Sequence, residues 1–206
     1  MEQGNKKNKT GTPSAIFFIV LLVPLSFINC SRNNPLDPKA GNYDAGTNIL
    51  QDPGFETGGA PWQGHLSGGR SIVNSGALSG TFCEQIVLSP YPRTVWQDLT
   101  VSAGKVYSVS GWIKTDTVTT SAHILVFWYN TATPPGNQMP PLPTDHRFIK
   151  TDTLGSLTGT NAYTKLSRNY YAPDSALSAQ VYLECGPPSD TSTGTAWFDN
   201  LTFNSH

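Results

Sequence analysis

Charge is scarce in this chain, and so are the residue arrangements that ordinarily announce catalysis. Only 13% of the 206 residues are Asp, Glu, Lys or Arg. No cluster of Lys and Arg forms a basic stripe, which excludes a nucleic-acid partner held through its phosphates. A nucleophile elbow of the G-x-S-x-G type is missing. The four histidines, His65, His123, His146 and His206, are scattered without metal-ligand spacing. No glycine-rich loop opens a helix to cradle phosphate. After Glu2 the only glutamates are Glu56, Glu84 and Glu184, and nothing places two of them across a cleft as glycosidic hydrolysis requires. The reading is of a protein that is not an enzyme.

Helical periodicity is also missing, because no stretch sustains apolar residues at spacings of three and four. What is abundant is Gly, Thr, Ser, Pro and aromatic residues, the mixture of an all-β chain with many turns.

The N-terminus departs from this pattern. Lys6, Lys7 and Lys9 precede an apolar stretch, Ala15 to Ile28, broken only by Pro24 and Ser26. A basic segment followed by a short apolar one is the pattern of a secretory signal, here residues 1–29. The stretch falls short of the ~20 apolar residues that span a bilayer comfortably. Cys30 follows at once and resembles the acylated cysteine of bacterial lipoproteins, although Phe27 and Asn29 stand where Leu and a small residue are usual. An uncleaved anchor or an ordinary signal cleaved nearby are the alternatives. Each implies export, and lipidation implies a cell-envelope protein whose membrane contact is its lipid anchor alone.

Residues 30–46 are polar and turn-rich, too poor in apolar surface to offset their ordering entropy, and read as a tether. Residues 47–206 have the length of one domain. Beyond residue 29 the chain carries 10 basic and 13 acidic residues. With Cys30 acylated, Cys83 and Cys185 form an even pair in an oxidising compartment. Strand phase sets Cys185 on an apolar face and Cys83 opposite Phe82 and Ile86, so a disulfide and two separate thiols both stay open.

Alternation and flanking turn residues predict strands over Ser71–Asn74, Thr81–Leu88, Thr94–Val101, Val106–Thr115, Ser121–Tyr129, Phe148–Leu154, Thr164–Tyr171, Ala179–Cys185 and Thr195–Phe203. Ser102–Lys105 reads as a tight turn between two of them. Regular short strands favour a two-sheet antiparallel sandwich over a parallel sheet. The run 130–143 carries five prolines, which forbid a central strand. It is either a loop bordering a site or a surface excursion.

The opening Asn48–Glu56, the strings Val95–Val101 and Gly104–Lys114, and the ending Thr195–Asn200 together resemble the carbohydrate-binding modules of families four, nine and twenty-two. The resemblance covers essentially all of residues 47–204. It implies a jelly-roll sandwich of the galactose-binding-like group, a structural calcium, and a cleft across one sheet for β-glucan or xylan-type polysaccharide. It assigns Glu56 and Asp199 as the early and late calcium ligands. The residues alone allow both carboxylates that role, since two carboxylates with backbone carbonyls suit a hard cation. They equally allow Glu56 to cap a backbone amide and Asp199 to mark a strand exit.

Sugar rings need flat apolar faces and a few orienting polar groups. On Val106–Lys114, alternation sets Tyr107, Val109, Gly111 and Ile113 on the core face, which leaves Trp112 outside. On Gln180–Glu184 it turns Gln180, Tyr182 and Glu184 away from the core. If these two strands share a sheet, Trp112 and Tyr182 stack on sugar while Gln180 and Glu184 bind hydroxyls. Trp128 and Trp62 are further candidates, each weighed against burial, the usual fate of aromatics in sandwich cores. The rival reading is a structural or adhesive sandwich that contacts protein partners and has no glycan ligand.

Overall fold

The computed structural model describes residues 46–64, 69–88, 93–135, 145–186 and 192–206. The signal segment, Cys30 and nearly all of the tether lie outside these residues, as do His65 and most of the proline-rich run.

Eight strands form among the described residues: β1 Gln63–Gly64, β2 Arg70–Val73, β3 Cys83–Val87, β4 Arg93–Thr100, β5 Val106–Tyr129, β6 Phe148–Tyr171, β7 Ser178–Cys185 and β8 Thr195–Ser205. All pairings are antiparallel. No helix occurs among the described residues. The all-β expectation holds, and most strand ends agree within two residues.

Two expected breaks are absent. Val106–Thr115 and Ser121–Tyr129 are one strand, β5, and the two runs predicted within Phe148–Tyr171 are likewise one, β6. Sequence reading splits them because alternation lapses around Thr115–Thr120, where the ribbon bends. Register slips between Ile113 and Thr115, between Thr115 and Val118, and again before Ala122. Thr117 takes a left-handed φ of 51°, at a bulge that turns the strand without ending it.

That bend makes the sandwich. Beyond it, Ala122–Tyr129 pairs with β7, which pairs with β4 and then β1. Before it, Tyr107–Asp116 pairs with β8, which pairs with β3 and then β2. One strand therefore serves both layers, with β6 alongside it throughout. The layers close on a shared core of Ile86, Val95, Val109, Ile113, Ile124, Val126, Trp128, Val181, Leu183, Phe198 and Phe203. Trp128 of one layer lies 6.0 Å from Tyr107 and 6.1 Å from Phe203 of the other, centroid to centroid.

The Ser102–Lys105 turn is present, with Lys105 N–H donating to Ser102 C=O at 3.3 Å. The N-terminal segment runs along β8. Asn48 Oδ1 accepts from Phe203 N–H at 2.9 Å, its amide donates to Leu201 C=O at 3.0 Å, and Leu201 N–H reaches Pro53 C=O. Cys83 and Cys185 are both buried free thiols, one in each layer, so of the two readings the separate thiols are found.

Gly194 locks the bend. Its φ is +117°, and a Cβ there would sit 2.5 Å from Val118 Cα and 2.6 Å from Thr117 C=O. Backbone has no rotamer with which to yield. Gly194→Ala is expected to cost about 2 kcal/mol or more, measured by denaturant unfolding; an unchanged midpoint would show that the β7–β8 connection does not hold the bend.

Candidate functional site

The outward face of the layer formed by β4, β7 and the second half of β5 differs from an ordinary solvated sheet face. Directly opposed residues point the same way in an antiparallel pair. One row therefore runs Gln63, Trp96, Tyr182, Leu125, and the next runs Asp98, Gln180, Phe127. A third runs Thr94, Glu184, His123. Trp96, Phe127, Tyr129 and Tyr182 form an apolar cluster separate from the main core, with Leu125 and Phe148 packed against it. Trp96 and Tyr182 are stacked, 5.5 Å between centroids and 15° between planes. Phe127 meets Tyr182 edge-on at 4.5 Å.

A hydrogen-bonded chain crosses the same face. Tyr129 Oη donates to Gln180 Oε1 at 2.7 Å, Gln180 Nε2 donates to Asp98 Oδ1 at 2.7 Å, and Gln63 Nε2 donates to Asp98 Oδ2 at 3.3 Å. Asp98 and Gln63 also line a cavity of about 550 Å³ at the β4 edge, with Pro61, Gln97, Thr100 and Ile49. That is the size of a small-ligand pocket.

Polar atoms on this face lack hydrogen-bond partners among the described residues. Tyr182 Oη, Thr94 Oγ1 and His123 Nδ1 are buried with no hydrogen bond, whereas His123 Nε2 meets Ser121 Oγ. Glu184 accepts no hydrogen bond among the described residues, and burial pushes its carboxyl up to about 7. Burial likewise lowers His123 and raises Tyr182. Buried polar groups are usually satisfied. Several such atoms lie side by side on this face, which is desolvated as well as aromatic.

Several expectations for the site need correction. Trp112 and Tyr182 do not share a layer. The first half of β5 pairs with β8, and Trp112 stands opposite Asp199 and Lys165 on the far side of the molecule. Trp128 is fully buried in the main core, its Nε1 donating to Asp152 at 2.8 Å. Trp62 is buried against Phe55, ring centroids 5.2 Å apart, and donates to Asp52 C=O. Tyr182 is not an open platform, being 1% exposed and stacked on Trp96. Gln180 is wholly buried, with both ends of its amide engaged inside the protein. Sequence reading does not single out Trp96, although alternation sets it beside Thr94 and Asp98 and opposite Val95, Gln97 and Leu99.

The structure brings Glu56 and Asp199 together across Gly54. A Cβ on that glycine would lie 3.6 Å from Asp199 Oδ1 and 3.8 Å from Glu56 Cγ. Both carboxylates hold the β2–β3 loop. Asp199 Oδ2 accepts from the N–H groups of Leu78 and Ser79, and Glu56 accepts from those of Thr81 and Phe82. Gly80 lies under the Glu56 carboxylate with no room for a Cβ. Amide capping, one of the two readings of the sequence, is thus the role seen. Yet no Lys or Arg pairs with either acid among the described residues. Burial, with the Glu56 charge adding, raises Asp199 even against its amide donors. Two like charges without a counterion fit a cation. No third His, Cys or acidic side chain joins them among the described residues, so other ligands would be backbone carbonyls.

No family model matches the chain. A tRNA(Glu)-specific nuclease, WapA, of Bacillus subtilis subsp. natto (strain BEST195) is 28% identical over 174 residues. That match covers 78% of this chain, which spans only 7% of the length of that protein. Among solved structures, a family 16 carbohydrate-binding module superposes with a TM-score of 0.58 at 17% identity, covering 76% of this chain and 99% of the other. The CBM22-1 xylan-binding domain of Paenibacillus barcinonensis Xyn10C gives 0.54 at 15% identity, covering 78% and 96%. A family 61 module, TmCBM61, solved with β-1,4-galactotriose gives 0.51 at 18%, covering 78% and 99%. The fold is that of the carbohydrate-binding modules. It is the jelly-roll sandwich that the sequence resemblance implied.

The buried acids of the sandwich make its stability depend on pH. Glu184 and Glu84 both titrate near 7 in the folded state, driven by burial, and for Glu84 this outweighs its 3.0 Å pairing with Arg70. A carboxylate raised above its ordinary 4.5 binds its proton more tightly folded than unfolded. Its contribution is complete below about 4.5 and is lost as pH rises through about 7. The melting temperature should fall from pH 5 to pH 8, and Glu184→Gln should flatten part of that slope; a Tm rising across this interval contradicts the assignment.

Proposed function

We propose that this protein binds a carbohydrate without catalysis, on the outward face of β4, β7 and the second half of β5. The observation that carries the reading is the conjunction on one face of stacked aromatic rings, a carboxylate–amide chain and buried polar atoms without partners. The part of this face that a sugar chain can reach is the Gln63–Asp98 margin, where hydroxyls can bond to an amide and a carboxylate that the buried aromatic pair backs from within. Entry is from the Asp98 margin, where the cavity is open to Gln63 and Thr100. The modules that share the fold support the ligand class, and the xylan-binding domain among them suggests a β-linked plant-type polysaccharide such as xylan or β-glucan.

Localisation belongs to the same proposal. Residues 1–29 direct export, Cys30 carries the lipid, and residues 30–46 hold the module away from the membrane.

One observation favours the rival. Trp96 and Tyr182 are each only 1% exposed, as they would be in a structural or adhesive sandwich that uses this face to pack and never to bind sugar. Calorimetric titration of soluble xylan and β-glucan into the full chain decides between them. Binding should occur, and Gln63→Ala and Asp98→Asn should each weaken it about tenfold, ~1.4 kcal/mol, with the melting temperature little changed. No binding to any polysaccharide removes the reading.

Calcium at Glu56 and Asp199 is proposed as the counterion to that acidic pair, tying the N-terminal segment, the β2–β3 loop and β8 together. Calcium should raise the Tm, a chelator should lower it, and Glu56→Gln should abolish the difference. Identical melting with and without calcium rejects the metal and leaves amide capping as the whole role of the pair.

A further inference from the structure

The outward face of the opposite layer carries a second polar surface that the proposed function does not use. Three rows cross it from β8 through β5 to β6. They run Asn204, Ser108, Asn169; then Thr202, Ser110, Ser167; then Asp199, Trp112, Lys165. A groove of about 230 Å³ lies over the first two rows and reaches Lys165. Strand geometry spaces such side chains ~4.8 Å across the sheet and nearly 7 Å along it, comparable with the hydroxyls of linked sugar rings.

The polar groups of the groove are positioned and only partly used. Ser110 Oγ and Thr202 Oγ1 share a hydrogen bond of 2.8 Å, and Ser108 Oγ meets His206 Nε2 at 2.8 Å. Asn204 Oδ1 is buried with no partner among the described residues. An orphaned acceptor calls for an O–H or N–H donor. Trp112 continues the face as a half-buried aromatic beside Lys165, and Lys165 is exposed with no ion pair among the described residues. Lys114 adds a second cation on the same side, 4.7 Å from the Trp197 ring centroid. The one carboxylate in these rows, Asp199, is capped by the amides of Leu78 and Ser79 and is fully buried. The accessible charge of the face is therefore positive.

We propose that this face is a second ligand site, distinct from the one under β4 and β7, for an acidic oligosaccharide of the uronate class. Lys165 takes the carboxylate, Trp112 takes a ring face, and the Ser110–Thr202 pair with Asn204 takes hydroxyls. The two sites lie on opposite outer faces of the sandwich, so the module can bridge two glycan strands.

Titration of the full chain with oligogalacturonate, with neutral xylo-oligosaccharide as control, tests the assignment. Oligogalacturonate should bind, with an affinity that falls as ionic strength rises. Lys165→Ser and Trp112→Ala should each weaken it about tenfold without altering the neutral titration, whereas Gln63→Ala should leave it unchanged. Lys165 is exposed, so that variant keeps the test valid if Trp112→Ala fails to fold. Absent binding, or binding indifferent to Lys165→Ser, or binding lost in Gln63→Ala instead, overturns the proposal. Failure of the neutral sugar alone would count against the first face and not this one.

Discussion

The architecture depends on a single bent ribbon. β5 and β6 run together for 24 residues each, and the run of register slips near Thr117 lets β5 leave one layer and enter the other without a loop. β7 and β8 attach to different halves of the same strand, β4 with β1 follows the first, and β3 with β2 follows the second. A change that straightened the ribbon would separate the layers and open the shared core of Trp128, Tyr107 and Phe203. This is why a small turn residue such as Gly194, packed against Thr117 and Val118 at the bend, bears on both layers.

The bend also decides which side chains are neighbours. Trp112 and Leu125, of opposite alternation phase on one strand, both face outward but on different layers, because the register slips between them shift the alternation and the ribbon turns. Each exterior has its own chemistry. One has stacked aromatics, an amide–carboxylate chain and a desolvated Glu184; the other has hydroxyls, amides and lysines around Trp112.

A third feature holds the chain's ends. Asn48 grips β8 through both ends of its amide, and the Glu56 and Asp199 carboxylates collect four backbone N–H groups from the β2–β3 loop. Backbone amides left unpaired at the end of a sandwich would be costly, and here acids satisfy them. No Lys or Arg pairs with either acid there among the described residues.

Much of this was legible in the residues alone. Alternation was enough to find the strands, to exclude helices, and to orient Tyr107, Val109, Ile113, Val181 and Leu183 inward, because a period of two is a local property of the chain. It also held the signal for Trp96, which shares its phase with Thr94 and Asp98. The pairing of Glu56 with Asp199 followed from terminal segments that run side by side. Which strand lies beside which is not local. That Trp112 and Tyr182 face away from each other, that Trp62 and Trp128 are core, and that Gln180 spends its amide on Tyr129 and Asp98 were decided by the bend in β5 and by the neighbours it assigns. Phase along a strand says which side a residue faces; only packing says what waits there.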